Sequence, residues 1–334
     1  MLFSMDLVRL TRELIDIESI TGNEGDVGDY LYRSLSKLGY RTEKMPVEGA
    51  RHNVYATLDQ RPDLVFSTHM DTVPPFISSS EDSEKIYGRG SCDAKGIIAA
   101  QIAAAERLRA STPRIGLLFV VGEERDSQGA KEANHHAPGC RFLINGEPTE
   151  NKIGRASKGT LRVQLNATGR MAHSAYPHLG ESAIEKLVRA LHRLLDMPLP
   201  DNPEIGPATL NIGQIEGGRA PNVIPDFARA QLLYRLVGTT ERLRKDIQAA
   251  VDGLAIPEFA LEIPYVKLRT VDGIPEMIAA FTTDIPALTN WGEPVLLGPG
   301  SIHAAHTDGE FIPKRELNDA VDLYVTIANK LMAS

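Results

Sequence analysis

The chain has 334 residues, 42% of them hydrophobic, two cysteines and a formal net charge of −8. At about 150 residues per domain this length predicts two domains, each able to bury a core. The acidic balance with interspersed charges argues against a nucleic-acid partner, and no apolar run approaches the ~20 residues that would span a membrane. Near the start, Asp6, Arg9, Arg12 and Glu13 stand where a secretory segment would be apolar, so a soluble, cytoplasmic protein is expected. Cys92 and Cys140 have no CxxC spacing and are too few for a disulfide framework. A bound metal would therefore be held by oxygen and imidazole.

In chain order, Asp6–Ile17 carries Leu7, Leu10, Leu14 and Ile17 at helical spacing, and Asp26–Leu38 reads as a second amphipathic helix closed by Gly39. Short apolar runs then alternate with helical stretches: Leu64–Phe66, a helix over Gly96–Leu108, Ile115–Val121, a short helix near Ala130–His136, and Phe142–Ile144. That alternation predicts an α/β domain, a mostly parallel sheet flanked by helices, with ligands at the polar ends of its strands. From about Gly159 the texture changes. Thr160–Thr168 and Ala228–Leu236 alternate as half-buried strands, and Ala183–Leu195 is amphipathic with Ile184, Leu187, Val188, Leu191 and Leu195 on one side. An α+β module inserted into the first domain accounts for this region. The strand-loop Pro294–Gly300 and a closing helix Leu317–Met332 return to the first domain.

Five polar segments fall at strand-to-loop transitions of the α/β pattern. Thr68-His69-Met70-Asp71 follows the Leu64–Phe66 run. In it, His69 offers a ring nitrogen to a metal while Asp71, on the same side of an extended chain, accepts the other ring N–H. Asp93, in Gly88–Gly96, suits a ligand or a helix N-cap. The adjacent carboxylates Glu123 and Glu124 repel unless they are exposed or a cation intervenes. Glu147 lies in Asn145–Thr149 after the Phe142–Ile144 run. The last segment runs Gly298–His306, with Asp308 and Glu310 beyond it, and both His303 and His306 offer a ring nitrogen there. Cys92 is a sulfur donor one residue from Asp93 that most simply points elsewhere, and the pair His135-His136 reads as solvated surface.

Taken together, THMDTVPP, GRGSCDAKG, GEE, NGEPT and GPGSIHAAH resemble, in order and over essentially the whole chain, the motifs of one metallohydrolase family. It is the di-zinc family of aminoacylases, carboxypeptidase G, acetylornithine deacetylase and succinyl-diaminopimelate desuccinylase. The resemblance implies a zinc-exopeptidase-like catalytic domain over residues 1–157 and 269–334, with a lid and dimerisation domain over 158–268. It makes His69 and Glu147 terminal ligands of one metal, Asp93 the bridge, and Glu124 and His306 the ligands of the other. Asp71 becomes the partner that orients His69, and Glu123 the general base. Two divalent ions are implied, zinc first, with cobalt or manganese also compatible. In the inserted module, Gly169–Pro177 resembles the lid motif whose histidine, here His173, reaches a partner subunit's site in a homodimer. Asn222 and Arg235 resemble residues that grip substrate, with Lys158 and Gly300 as further substrate contacts.

Within the family, GPGSIHAAH and the NGEPT–SKGT stretch lean toward the acetylornithine deacetylase branch, so the expected reaction is deacylation of an N-acyl amino acid. A metallo-exopeptidase acting on dipeptides needs the same catalytic set and is the second reading. A non-catalytic relative that keeps the fold and the metals is the third. The stretch Ile274–Leu297 reads as trimmed relative to other members.

Overall fold

The computed structural model describes residues 6–58, 61–111 and 114–333, so the outermost limits of the expected catalytic domain, 1 and 334, fall outside the described residues. The chain divides into two compact units. The first comprises Met1–Arg155, Lys267–Met277 and Thr283–Ser334, and the second Ala156–Val266 with Ile278–Thr282. The short return segment belongs to the second unit because Lys158 N–H donates to the Ala279 carbonyl (2.9 Å) and Ser157 Oγ to that of Phe281 (2.7 Å).

The first unit is built on a six-stranded sheet ordered Arg41–Glu48, Arg51–Thr57, Ile115–Val120, Leu64–His69, Phe142–Asn145, Glu293–Leu296. The last four strands are parallel, and every residue of Leu64–His69, Ile115–Val120 and Phe142–Asn145 is buried. Continuous apolar runs are what a parallel sheet covered on both faces requires. The first two strands pair antiparallel, so the sheet is mostly parallel, as expected, rather than wholly so. Arg41–Glu48 is an edge strand with mostly exposed side chains, so it carries little apolar pattern by which to be read.

Helices Leu7–Ile15, Gly25–Lys37, Lys95–Leu108 and Lys314–Ala333 contribute to one continuous core with the sheet. Asp6 caps the first of them by accepting the Arg9 N–H (3.0 Å), and Gly39 follows the second at φ +84°, the left-handed position that glycine fills best after a helix. On the other side, Leu288 and Trp291 pack with Met45, Val65, Leu118 and Leu143. The Trp291 indole N–H donates to the Ala133 carbonyl (3.1 Å), and its ring meets Tyr55 edge-on at 5.5 Å, which anchors the segment leading from Asp284.

The second unit is a four-stranded antiparallel sheet ordered Thr209–Gly217, Phe227–Leu236, Gly159–Thr168, Ile256–Ile263, packed against helices Ala183–Asp196 and Glu241–Val251. Its core is formed by residues such as Leu161, Val163, Leu165, Leu232, Tyr234, Leu243 and Ile247. The helix Ala183–Asp196 corrects one expectation. It buries Ala183, Leu187, Ala190, Leu191 and Leu194, whereas Ile184, Val188 and Leu195 are 39%, 58% and 60% exposed. Its apolar arc is wider than the sheet face can cover. Among the described residues, no helix is long and apolar enough to cross a membrane.

Candidate metal centre

In the first unit the register of the parallel strands determines where the polar segments emerge. Leu64 pairs with Ile115 and with Phe142, so the three strands start level; His69 ends opposite Val120, and Asn145 ends opposite Ser67, two residues short of them. His69 is the last residue of its strand, and Glu123 and Glu124 follow the neighbouring strand by a turn at Gly122 (φ +79°). Glu147 follows the third strand. The intervening Gly146 donates its N–H to the Ser67 carbonyl (2.7 Å) and accepts from Thr68 Oγ1 (2.8 Å). A Cβ on Gly146 would stand 2.3 Å from Ile97 Cγ2, so only glycine lets helix and strand approach this closely.

His69, Asp93 and Glu124 each offer a donor atom within 4.8 Å of the others. His69 Nε2 lies 2.9 Å from Asp93 Oδ1, and His306 Nε2 lies 3.3 Å from Asp93 Oδ2 and 2.9 Å from Glu124 Oε1. The two oxygens of Asp93 thus face two different imidazoles. His306 adopts φ +64°, a left-handed conformation sparsely used by residues with a Cβ, and this turns its ring toward the carboxylates. His303 is exposed on the same turn and contributes to none of these contacts. Asp93 is not a helix cap, because the helix begins at Lys95 with Ala94 in the capping position. The Cys92 thiol is aimed at the Ser301 carbonyl (3.3 Å), and His135 and His136 are exposed.

Asp71 acts differently from the sequence expectation. The ring nitrogen Nδ1 of His69 is 3.0 Å from the backbone carbonyl of Asp71 and 3.5 Å from its carboxylate. The carboxylate instead accepts the N–H groups of Glu123 (3.1 Å) and Glu124 (3.2 Å) and the Thr21 hydroxyl (2.9 Å). Asp71 therefore orients the ring through its main chain and the two glutamates through its side chain. Donation from Nδ1 to the carbonyl leaves Nε2 facing the acidic cluster.

The electrostatics describe a site with more negative charge than its protein surroundings neutralise. Burial pushes the Glu147 carboxyl well above the usual range, and the charges of Asp93, Asp284 and Glu124 add to that push. Burial, followed by the nearby Glu147 charge, does the same to Glu123. Burial raises Glu124 as well, opposed by its hydrogen bond with His306. Asp93 goes the other way: burial disfavours its charge, but the hydrogen bonds from His306 and His69 outweigh this. For His69 burial opposes protonation, and contacts with Asp71 and Asp93 still raise its pKa well above the ordinary value. His306 is raised to about 10 by its hydrogen bonds with Asp93 and Glu124. Glu147 Oε1 is buried with no hydrogen-bond partner. An orphaned carboxylate oxygen and a carboxylate spanning two imidazoles, in a set of oxygen and nitrogen donors, fit divalent cations.

One acidic residue near this cluster escaped sequence reading. Asp284, 1% exposed, begins a short 3-10 helix without capping it, and burial raises its pKa to about 7. Its charge is felt by both Glu123 and Glu147. The only sequence signal was an acidic residue before Ile285-Pro286 in the stretch read as trimmed.

The remaining expected residues divide between the units. Gly300 is in the first, at φ +83°, with its N–H donated to Glu316 (3.0 Å) and its Cα packed so closely on Cys92 that a Cβ would lie 2.6 Å from Sγ. In the second unit, His173 pairs with Val223 in a two-stranded ribbon, and Ser174 N–H donates to the Asn222 carbonyl (3.0 Å), so His173 and Asn222 are brought side by side. The Ala175 N–H donates to His173 Nδ1 (3.1 Å), which leaves the proton of a neutral ring on the exposed Nε2. Arg235 is not brought to them. It lies eight residues beyond Phe227 on its strand, roughly 26 Å along it, where its Nη1 donates to Thr160 Oγ1 (2.9 Å). Lys158 Nζ donates to the Pro207 carbonyl (2.6 Å).

Residues 155–257 match the peptidase dimerisation domain family. The chain is 38% identical over 332 residues to a peptidase M20 domain-containing protein of Schizosaccharomyces pombe, covering 96% of this chain and 83% of that one. It is 37% identical over 380 residues to a probable carboxypeptidase of Uncinocarpus reesii, covering 96% and 85%. Among solved structures, a tripeptidase from Staphylococcus aureus superposes with a TM-score of 0.81 at 23% identity, covering 96% of each chain. A dinuclear metal-binding peptidase of the M20 family from Bacillus subtilis does so with a TM-score of 0.68 at 16% identity, covering 97% and 98%. These two share the fold. The chain belongs to the M20 peptidase family, hydrolases of peptide and amide bonds.

Proposed function

We propose that the protein is a di-metal amide hydrolase that removes the acyl group from an N-acyl amino acid, as acetylornithine deacetylase does. The observation that carries the hydrolase reading is the pair of unlike contacts made by Asp93, one oxygen to His69 and the other to His306. His69, Asp93 and Glu147 would hold one cation and Asp93, Glu124 and His306 the other, zinc being the first choice for such donors and cobalt or manganese also acceptable. When bound, such ions supply Lewis acidity, polarising a scissile carbonyl and acidifying water.

Glu123 serves as general base and then as general acid, taking a proton from the attacking water and delivering it to the leaving amine. Burial and the nearby Glu147 charge raise its pKa, which makes it a better proton acceptor than an ordinary carboxylate. Asp71 holds the Glu123 backbone, so the base is aimed through its main chain. His173 Nε2–H donates to the developing oxyanion of the substrate, reaching the partner subunit's site from the lid module, residues 158–268. Asn222 beside it donates to the oxyanion or to the substrate carboxylate. Arg235, Lys158 and Gly300 are proposed as further substrate contacts, Arg235 by bidentate pairing with a carboxylate.

The homodimer is proposed to form through the lid module. The exposed stripe Ile184, Val188 and Leu195 and the edge strand Thr209–Gly217 are the surfaces that support it. Two buried, unpaired cysteines agree with a cytoplasmic location.

A metallo-exopeptidase is the second reading, favoured by the probable carboxypeptidase and tripeptidase among the similar proteins. Steady-state kinetics of the metal-loaded protein on N-acetylornithine, other N-acetyl amino acids and a panel of di- and tripeptides tests the choice. The deacylase reading expects the highest kcat/KM on an N-acetyl amino acid; a higher value on a peptide overturns it and leaves the hydrolase reading in place.

A further inference from the structure

A second acidic residue, outside the expected ligand set, is connected to three of the chain segments that form the centre. Glu310 is 1% exposed, and its Oε1 accepts three backbone N–H groups, from Gly90 (3.0 Å), Cys92 (3.1 Å) and Asp93 (3.1 Å). Its Oε2 accepts from Arg89 Nη1 at 2.6 Å, and Arg89 is itself 2% exposed. The same guanidinium donates through Nη1 to the Thr307 carbonyl (3.1 Å) and through Nε to the Pro75 carbonyl (3.3 Å). The Glu310 carbonyl also accepts the Gly88 N–H (3.1 Å).

Each contact ends on or near a ligand-bearing segment. Asp93 is held by its own N–H, and Thr307 is the residue after His306. Pro75 is on the loop that carries Asp71 and follows the strand ending at His69. Neither charge of the pair touches the acidic cluster, and a pair needed only for packing could be replaced by apolar groups of the same shape. What the pair does that apolar groups cannot is fix several main-chain segments at once by charge-assisted hydrogen bonds, with the planar guanidinium serving more than one carbonyl.

We propose that the buried Arg89–Glu310 pair is a positioning device for the metal centre, holding the Asp93 main chain and the His306 turn in register so that the donor atoms are preorganised for cations. Arg89 and Glu310 are positioning residues, since they act through Asp93 and His306. The inference rests on the reading of those two residues as ligands, and its test separates the two claims.

The full-length protein is stripped with a chelator, and Co²⁺ and Zn²⁺ are titrated back, Co²⁺ followed by its visible absorption and Zn²⁺ by competition. Melting of the metal-free protein is measured in parallel. Glu310→Gln is expected to weaken metal affinity by about 10- to 100-fold. Arg89→Lys keeps the charge but not the planar fork, and is expected to weaken affinity less. Leu243→Ala, a core substitution in the second unit, should lower the melting temperature without changing affinity. If Glu310→Gln and Arg89→Lys bind Co²⁺ as tightly as the unaltered protein while Asp93→Asn does not bind it, the positioning role is overturned and the ligand reading stands. If Asp93→Asn also binds as tightly, the ligand reading itself fails. If neither Glu310→Gln nor Arg89→Lys folds, the pair is a folding element and the proposal is likewise overturned.

Discussion

His69 and His173 are both proposed to act in one reaction, yet they occupy opposite kinds of environment. His69 is 1% exposed at the end of a fully buried strand, with one ring nitrogen against a carbonyl and the other against a carboxylate. His173 is exposed on a two-residue strand of the second unit, where one ring nitrogen is held by the Ala175 N–H and the other is presented outward. The first region is preorganised by its own unit, so burial has already removed the freedom of each donor group. The second fixes only a tautomer and depends on where its unit is carried. Catalytic groups of the first kind should respond to substitution independently of assembly, and those of the second kind only through it.

The largest expected effect falls in the buried region. Glu123→Gln should reduce turnover by about 10²- to 10⁴-fold while bound metal, measured by elemental analysis, stays at the level of the unaltered protein. An unchanged rate would remove Glu123 from its role and blur the contrast. Next, His173→Ala should lower kcat by about 10²-fold with metal content intact. Mixing it with an Asp93→Ala protein should restore part of the activity in verified heterodimers; without such rescue, the lid histidine does not act across subunits.

A smaller and purely associative effect is expected on the exposed stripe of the lid helix. Val188→Asp together with Leu195→Asp should shift the sedimentation coefficient toward the monomer at a given concentration. A dimer as tight as before would exclude that stripe from the interface. The smallest effect concerns the helix itself: Ser182→Ala removes the hydroxyl that accepts the Glu185 N–H (3.1 Å) and should cost about 1 kcal/mol of stability by chemical denaturation. Activity per folded molecule should not change.

Much of this arrangement was legible in the sequence, and the reasons differ between segments. Leu64–His69, Ile115–Val120 and Phe142–Asn145 are buried on both faces, so their composition alone marks them as central strands. Arg41–Glu48 at the sheet edge and Glu241–Val251 in the second unit carry mixed polar patterns and gave no comparable signal. The polar segments His69, Asp93, Glu123-Glu124, Glu147 and His306 could be picked out because each interrupts an apolar pattern at a strand or helix end. Asp284 stands in an irregular segment, where nothing periodic frames it. The two functions of Asp71 were also hidden, since its spacing from His69 is the same whether its carbonyl or its carboxylate takes the ring N–H.

What the sequence determined by itself was the kind of chemistry available: oxygen and imidazole donors at the ends of parallel strands, with thiols too few to compete. Tertiary structure decided which atoms of those residues meet. Asp93 came to face two imidazoles, Glu310 came to hold three backbone N–H groups, and part of an apolar helix face was left uncovered. The physical reason is that periodicity encodes which side of an element is buried, whereas long-range hydrogen bonds between residues hundreds of positions apart depend on strand register and turn geometry, to which local pattern is blind.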